Sequence, residues 1–344
     1  MTKQDSSRRT VLLLLAVVTL VVLAASIRFG AIDFSIGQIT SALTSLLPNH
    51  PEPTLDQRIF LELRLPRALL CLLVGASLGV GGTLMQALFR NPIVEPGLVG
   101  TSSGAAFGSA LFFVLGGVLH IGTSLWSLPI AACIGGVIST YLVFLLARSP
   151  HDRRASIVML LLTGLAVNAL FMSAIGFLSY IARDPQARSI TFWSLGTLSG
   201  ASWKAVTIVT VSTVAGGIVA LFYSKQLNAL MIGEEEATYL GVNVNRLKWI
   251  ILSVNVVIVA VATAFTGVIS FVGLVVPHIL RMLGGADNRF LLIGSALTGA
   301  TLLTLADLLA RMVVRPAELP IGIVTSAVGV PVFIFLLRRR QYVF

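Results

Sequence analysis

Side chains able to do chemistry are few in this sequence, and most are arginines and carboxylates. Arg64 and Arg67 bracket Pro66 in the stretch ELRLPRALLCLLV, just ahead of a long apolar run. Asp307 stands inside another apolar run, with Arg311 one turn later. Glu234, Glu235 and Glu236 follow Gly233 in a polar segment. Such groups serve ion pairing, and a planar guanidinium can meet a carboxylate with two parallel hydrogen bonds. A carboxylate inside a membrane span is a functional candidate by default, for instance as a proton relay. An arginine at i+4 lowers its cost and gives it a structural role. Asp307 has no chain of partners for a relay, because Glu62, Glu95, Asp184 and Glu318 all lie near the ends of apolar runs.

Other chemistries are excluded. His50, His120, His151 and His278 are scattered, with no ligand partner at i+3 or i+4. There is no GxSxG, HExxH or paired-carboxylate site. No GxxxxGKS/T phosphate loop occurs either. Cys71 and Cys133 lie within apolar runs and read as small core hydrophobes. The chain is therefore expected to hold no metal or cofactor and to catalyse no reaction. If ATP drives it, the nucleotide site belongs to another chain.

These residues must be positioned by helices in a bilayer. Of the 344 residues, 56% are hydrophobic and only 11% are charged, and the mean hydropathy is +0.95. A soluble chain would carry roughly 25% charged residues, so the composition specifies an all-α polytopic membrane protein. A span needs about 20 apolar residues. Candidate spans are 10–28, 66–89, 97–118, 123–147, 155–182, 203–223, 247–270, 271–284, 290–311 and 319–337, which makes ten. The first resembles a signal peptide but lacks a convincing cleavage site, so it reads as a retained span. The eighth is short and interrupted by Pro277 and His278. The 31 glycines cluster on these runs, where small residues let helices approach closely in lipid.

Loop charge orients the spans. With the N-terminus inside, 15 Lys and Arg fall in inner segments (Arg90, Arg148, Arg153, Arg154, Arg339 and Arg340 among them) and 9 in outer segments. The excess places both termini in the cytoplasm. The net charge of +10 thus reflects topology rather than nucleic-acid binding. The outer set, which includes Arg64, Arg67, Arg183, Arg188 and Arg311, is unusually rich in arginine.

Two further stretches stand out. The inner segment at about 227–245, between the sixth and seventh spans, predicts two short helices at the cytoplasmic surface. Gly233 starts the second, the three glutamates favour its N-terminal dipole, Gly241 ends it, and Asn245 caps the next span. It reads as a solvated loop or as a docking element. GGTLMQALFRNPIVEPGLVG and TGVISFVGLVVPHILRMLGG both pass from a small-residue helix through a proline break into another helix, an arrangement found in the inverted repeats of transporters.

The sequence resembles the permease subunits of type II ATP-binding-cassette importers, which carry iron-siderophores, heme and cobalamin. The resemblance rests on RLPR (64–67), MQALFRNPIVEPGLVG (85–100), FWSLGTLSGASW (192–203), GEEEATYLG (233–241), FVGLVVPHILR (271–281), ADLLAR (306–311) and ELPIGIVTSAVGVPVF (318–333). It implies one permease domain over 1–344 with ten transmembrane helices. It implies a homodimer in the bacterial inner membrane, two cytoplasmic ABC ATPase subunits that bind ATP and Mg, and a periplasmic substrate-binding protein. By the same resemblance Gly233, Glu234, Glu235, Glu236, Ala237, Leu240 and Gly241 form the ATPase coupling element. Arg64, Arg67 and Arg311 match the docking sites for the binding protein.

The stretch SYIARDPQARSITFWSLGTLSG (179–200) is similar to that of heme importers, which makes Arg183 and Arg188 candidates to meet heme propionates. With Met85 and Asn91 they are the candidate pathway residues. One departure lies at 155–158, where Ile157 and Val158 stand where a cobalamin relative has small polar gate residues. Heme is therefore the expected substrate. A ferric siderophore or cobalamin is the alternative within the family, and a proton-coupled secondary transporter using Asp307 is the alternative outside it.

Overall fold

The computed structural model describes residues 3–30, 32–47, 52–117, 126–147 and 157–338. Outside them lie Arg148, Arg153, Arg154, Arg339 and Arg340 of the charge count, His50, His120 and His151, and Ala155 and Ser156 of the proposed gate stretch. The described residues are helical, with no strand among them. In chain order the helices are α1 (Lys3–Arg28), α2 (Ile36–Thr44), α3 (Leu55–Arg58), α4 (Leu65–Leu88), α5 (Thr101–Leu115), α6 (Ser127–Leu146), α7 (Ile157–Ile181), α8 (Asp184–Ser194), α9 (Trp203–Phe222), α10 (Ser224–Ile232), α11 (Glu234–Tyr239), α12 (Val244–Thr266), α13 (Val272–Gly284), α14 (Asn288–Met312) and α15 (Ile321–Arg338). Seven stretches are long and apolar enough to span, and three shorter apolar helices, α5, α13 and α15, occupy the remaining predicted spans.

The second span differs from its expected form. The helix does not begin at Pro66 but runs without interruption from Leu55 to Leu88, 34 residues. Pro66 has no N–H and its ring crowds the carbonyl four residues back. A π-helical turn over Ile59–Arg64 absorbs this mismatch. The third span is also shorter than expected. Pro96–Val99 forms a 3₁₀ turn, and Gly100, at φ 88, reverses the chain into α5.

Glycines set the helix contacts. A Cβ on Gly75 would lie 2.7 Å from the Gly299 carbonyl carbon, so α4 and α14 touch backbone to backbone. On Gly82 it would lie 2.6 Å from the Gly273 backbone, which seats α13 on α4. Gly104 and Gly135 do the same for α5 and α6. Leu84, Leu88, Ile251 and Leu252 fill the core around these seams, whereas α1, α7 and α9 are mostly exposed and face lipid or a partner. Cys71 is buried and Cys133 half-buried, both free, as expected of core hydrophobes.

Candidate functional sites at the two faces

At the outer end α1, α4, α14 and the connection before α15 bring together residues up to 285 positions apart. Arg67 donates through Nε and Nη2 to Asp307 Oδ1 at 3.1 and 2.9 Å. Its Nη1 donates to both Glu318 oxygens at 2.9 and 2.8 Å. Arg311 Nε lies 2.8 Å from Asp307 Oδ2, an ion pair without hydrogen-bond alignment. Its Nη2 donates to Ser26 Oγ at 2.8 Å and its Nη1 to the Phe29 carbonyl at 3.2 Å. Arg64 Nη1 donates to the same Phe29 carbonyl at 3.1 Å, and Nη2 to the Ile32 carbonyl. The carbonyls ending α1 lack intrahelical partners, and cations there are favourable against the helix dipole. Gly30 leaves room for both guanidiniums, since a Cβ there would overlap them.

The three arginines singled out in the sequence thus converge, but their exposure differs. Arg64 and Arg311 are buried and spend their donors inside the protein. Arg67 opens onto a cavity of about 280 Å³ that Glu318, Phe192, Thr197, Ser199 and Pro320 also line. Asp307 is held by two arginines and is 1% exposed, so the structural pairing expected with Arg311 is present and extended by Arg67.

At the opposite end the segment expected to couple to an ATPase forms α10 and α11. Gly233 separates them, and the Glu236 carboxylate folds into the space beside it. Gly241 has φ 83 and ends α11, with Gly241 N–H donating to the Thr238 carbonyl and Val242 N–H to that of Ala237. The cap on the next span is Asn243 rather than Asn245. Its Oδ1 accepts from Arg246 N–H at 3.0 Å, because the glycine turn delivers Asn243, not Asn245, to the helix start. The pair is fastened at two points. Lys248 Nζ, buried on α12, donates to Glu234 Oε2 at 2.7 Å. Asn228 Oδ1 accepts from Asn288 N–H at 2.8 Å at the start of α14. Ala237 is buried beneath, while Ile232, Tyr239 and Leu240 stand 70%, 88% and 66% exposed beside Glu235 and Glu236.

Between the two faces, the proline-broken segments of similar pattern pack on each other. Pro277 leaves the Gly273 carbonyl of α13 without its i+4 donor. Gln86, fully buried on α4, donates through Nε2 to the carbonyls of Leu274 at 3.1 Å and Gly273 at 3.4 Å. Its Oε1 accepts from Arg281 Nη1 at 2.7 Å. Phe271 sits at φ 68, an uncommon conformation for a bulky residue. Its N–H donates to Glu95 Oε1 at 2.8 Å, which caps α13 from another segment. Burial pushes the Glu95 carboxyl above its ordinary range, and this hydrogen bond opposes the shift. Sequence reading singled out neither Gln86 nor Glu95 for these roles. The missing N–H of Pro277 was the one available signal.

The other pathway candidates are placed as follows. Met85 is enclosed in the core. Asn91 closes the turn after α4, its Oδ1 accepting from Ile93 N–H at 3.0 Å. Arg183 caps the start of α8 and Arg188 lies on it, and both are exposed. Among the described residues no cluster of three His, Cys, Asp or Glu could hold a metal.

Seven helices long and apolar enough to span, bundled with three shorter ones, mark a multi-pass membrane protein. The chain belongs to the FecCD transport family, which it matches over residues 17–339. It is 42% identical to the hemin transport system permease protein HmuU of Yersinia pestis, over 94% of both chains. It is 40% identical to the Fe(3+) dicitrate transport system permease protein FecC of Escherichia coli, over 87% of this chain and 88% of that one. The vitamin B12 import system permease protein BtuC of Vibrio vulnificus is 35% identical over 94% of both. A metal-chelate type ABC transporter solved in an inward-facing conformation superposes with a TM-score of 0.83 at 31% identity, covering 96% of this chain and 99% of that one. The chain is thus an ABC importer permease of type II fold, and not itself an enzyme.

Proposed function

We propose that this chain imports heme across a bacterial inner membrane as a homodimer, driven by ATP and Mg bound on two separate ATPase subunits. The observation that carries the ATPase reading is the α10–α11 pair. It presents Ile232, Tyr239 and Leu240 to solvent beside free glutamates while fastened to α12 and α14. Large apolar side chains held out in a rigid, capped element mark a protein interface. The exposed apolar faces of α7 and α15 suit a second copy. Transport follows alternating access, with ATPase closure biasing one arrangement of the two permeases over the other.

Heme is favoured by the identity to a hemin permease and by Arg183 and Arg188, whose exposed guanidiniums at the outer mouth suit propionate groups. The outer cluster is the docking site of a periplasmic binding protein with acidic residues, through Arg67 above all. A proton-coupled reading through Asp307 is disfavoured, because two arginines pair with that carboxylate and enclose it away from any path for protons. The test is uptake into proteoliposomes carrying the permease, its ATPase and its binding protein, with heme, ferric siderophores and cobalamin compared side by side. ATP-dependent accumulation of heme alone supports the reading. Uptake of another chelate instead reassigns the substrate, and uptake driven by a pH gradient without ATP refutes the importer.

A further inference from the structure

Arg67 offers its Nη1 edge to the outer cavity, and in this structure Glu318 takes that edge with both carboxylate oxygens. The rest of the guanidinium is already engaged by Asp307. Asp307 is 1% exposed and cannot be replaced from outside, whereas Glu318 is 36% exposed. Glu318 lies in the exposed connection between α14 and α15, outside any helix, so its side chain can rotate away without unpacking a span. The next residues are tied independently, Leu319 N–H to the Ala310 carbonyl at 3.1 Å and Ile321 N–H to the Gly196 carbonyl at 3.1 Å. The charge balance points the same way. Arg64, Arg67 and Arg311 against Asp307 and Glu318 leave +1, and +2 once Glu318 departs.

We propose that Glu318 is a built-in stand-in for a partner's carboxylate: it occupies Arg67 while the outer face is undocked, and an acidic side chain of the binding protein displaces it into the cavity. This rests on the docking reading above and adds a competitor to it. The contact keeps Arg67 paired between docking events and lowers affinity for acidic surfaces in general, so only a partner whose other contacts offset the exchange remains bound.

The test is the affinity of the purified cognate binding protein for the full permease–ATPase complex in nanodiscs, measured at low and physiological salt for wild type, Glu318→Gln and Glu318→Ala. Releasing a competing exposed pair should tighten binding about 1.4- to 5-fold. The gain should sit mainly in the association rate and shrink with salt. Unchanged or weakened binding in both variants overturns the proposal, since Glu318 then merely orients Arg67 or is inert. Arg67→Met, checked for intact ATPase assembly, separates the two readings. If it weakens binding while the Glu318 variants do not tighten it, docking at Arg67 stands and the competition fails. If neither change alters affinity, docking at Arg67 fails as well.

Discussion

Replacing Gln86 with leucine should destabilise the α4–α13 seam in a way that depends on Pro277. Gln86 is fully buried, so the leucine brings no water with it. The substitution removes the donors to the Leu274 and Gly273 carbonyls and the acceptor that Arg281 Nη1 uses. A buried carbonyl left unpaired costs about 1–3 kcal/mol. Arg281, whose Nε and Nη2 are already buried without partners, also loses the acceptor of its Nη1, so the expected total is about 3–5 kcal/mol. Pro277→Ala restores an N–H to the position that bonds the Gly273 carbonyl within the helix. In that background Gln86→Leu should cost about 1–2 kcal/mol less. Four proteins complete the cycle: wild type, the two single variants and the double. Unfolding free energies in mixed micelles supply the numbers, and transport activity reports whether the seam matters beyond stability. Additive costs, within about 0.5 kcal/mol, would refute the claim that Gln86 answers a donor deficit created by the proline.

Gly241→Val places a β-branched residue at φ 83 and should cost about 1–2 kcal/mol at the end of α11; unchanged ATPase co-purification and transport would remove that segment from coupling. The Lys248–Glu234 pair is asymmetric, at 6% and 34% exposure. Glu234→Ala removes one partner of a buried ammonium and should cost about 1–3 kcal/mol, whereas Lys248→Met leaves a carboxylate that water can reach and should cost about 1 kcal/mol or less; a larger loss in Lys248→Met than in Glu234→Ala would contradict this. Asp307→Asn withdraws the charge shared by Arg67 and Arg311; the complex should lose stability but keep ATP-dependent uptake that ignores a pH gradient.

What the sequence determined by itself was whatever depends on local composition. Hydropathy sufficed for the spans because a bilayer selects apolar length one segment at a time. Loop arginines predict an orientation, because each acts at its own membrane face. Gly233 and Gly241 bounded α11 because turn geometry is a property of a few consecutive residues. The misplaced cap, Asn245 for Asn243, was an error of two residues within the same local logic. The tertiary structure alone decided which side chains meet. Arg67, Asp307 and Glu318 come from three separate elements, and Gln86 reaches a carbonyl 188 residues away. Rotation about each helix axis sets such meetings. In soluble helices an apolar stripe reveals that rotation, but in lipid the outer surface is as apolar as the core and the stripe disappears. For the same reason the sequence could not place Met85, a pathway candidate, which is enclosed in the core. The outward-facing edge of Arg67 became visible only once α1, α14 and α15 were packed around it.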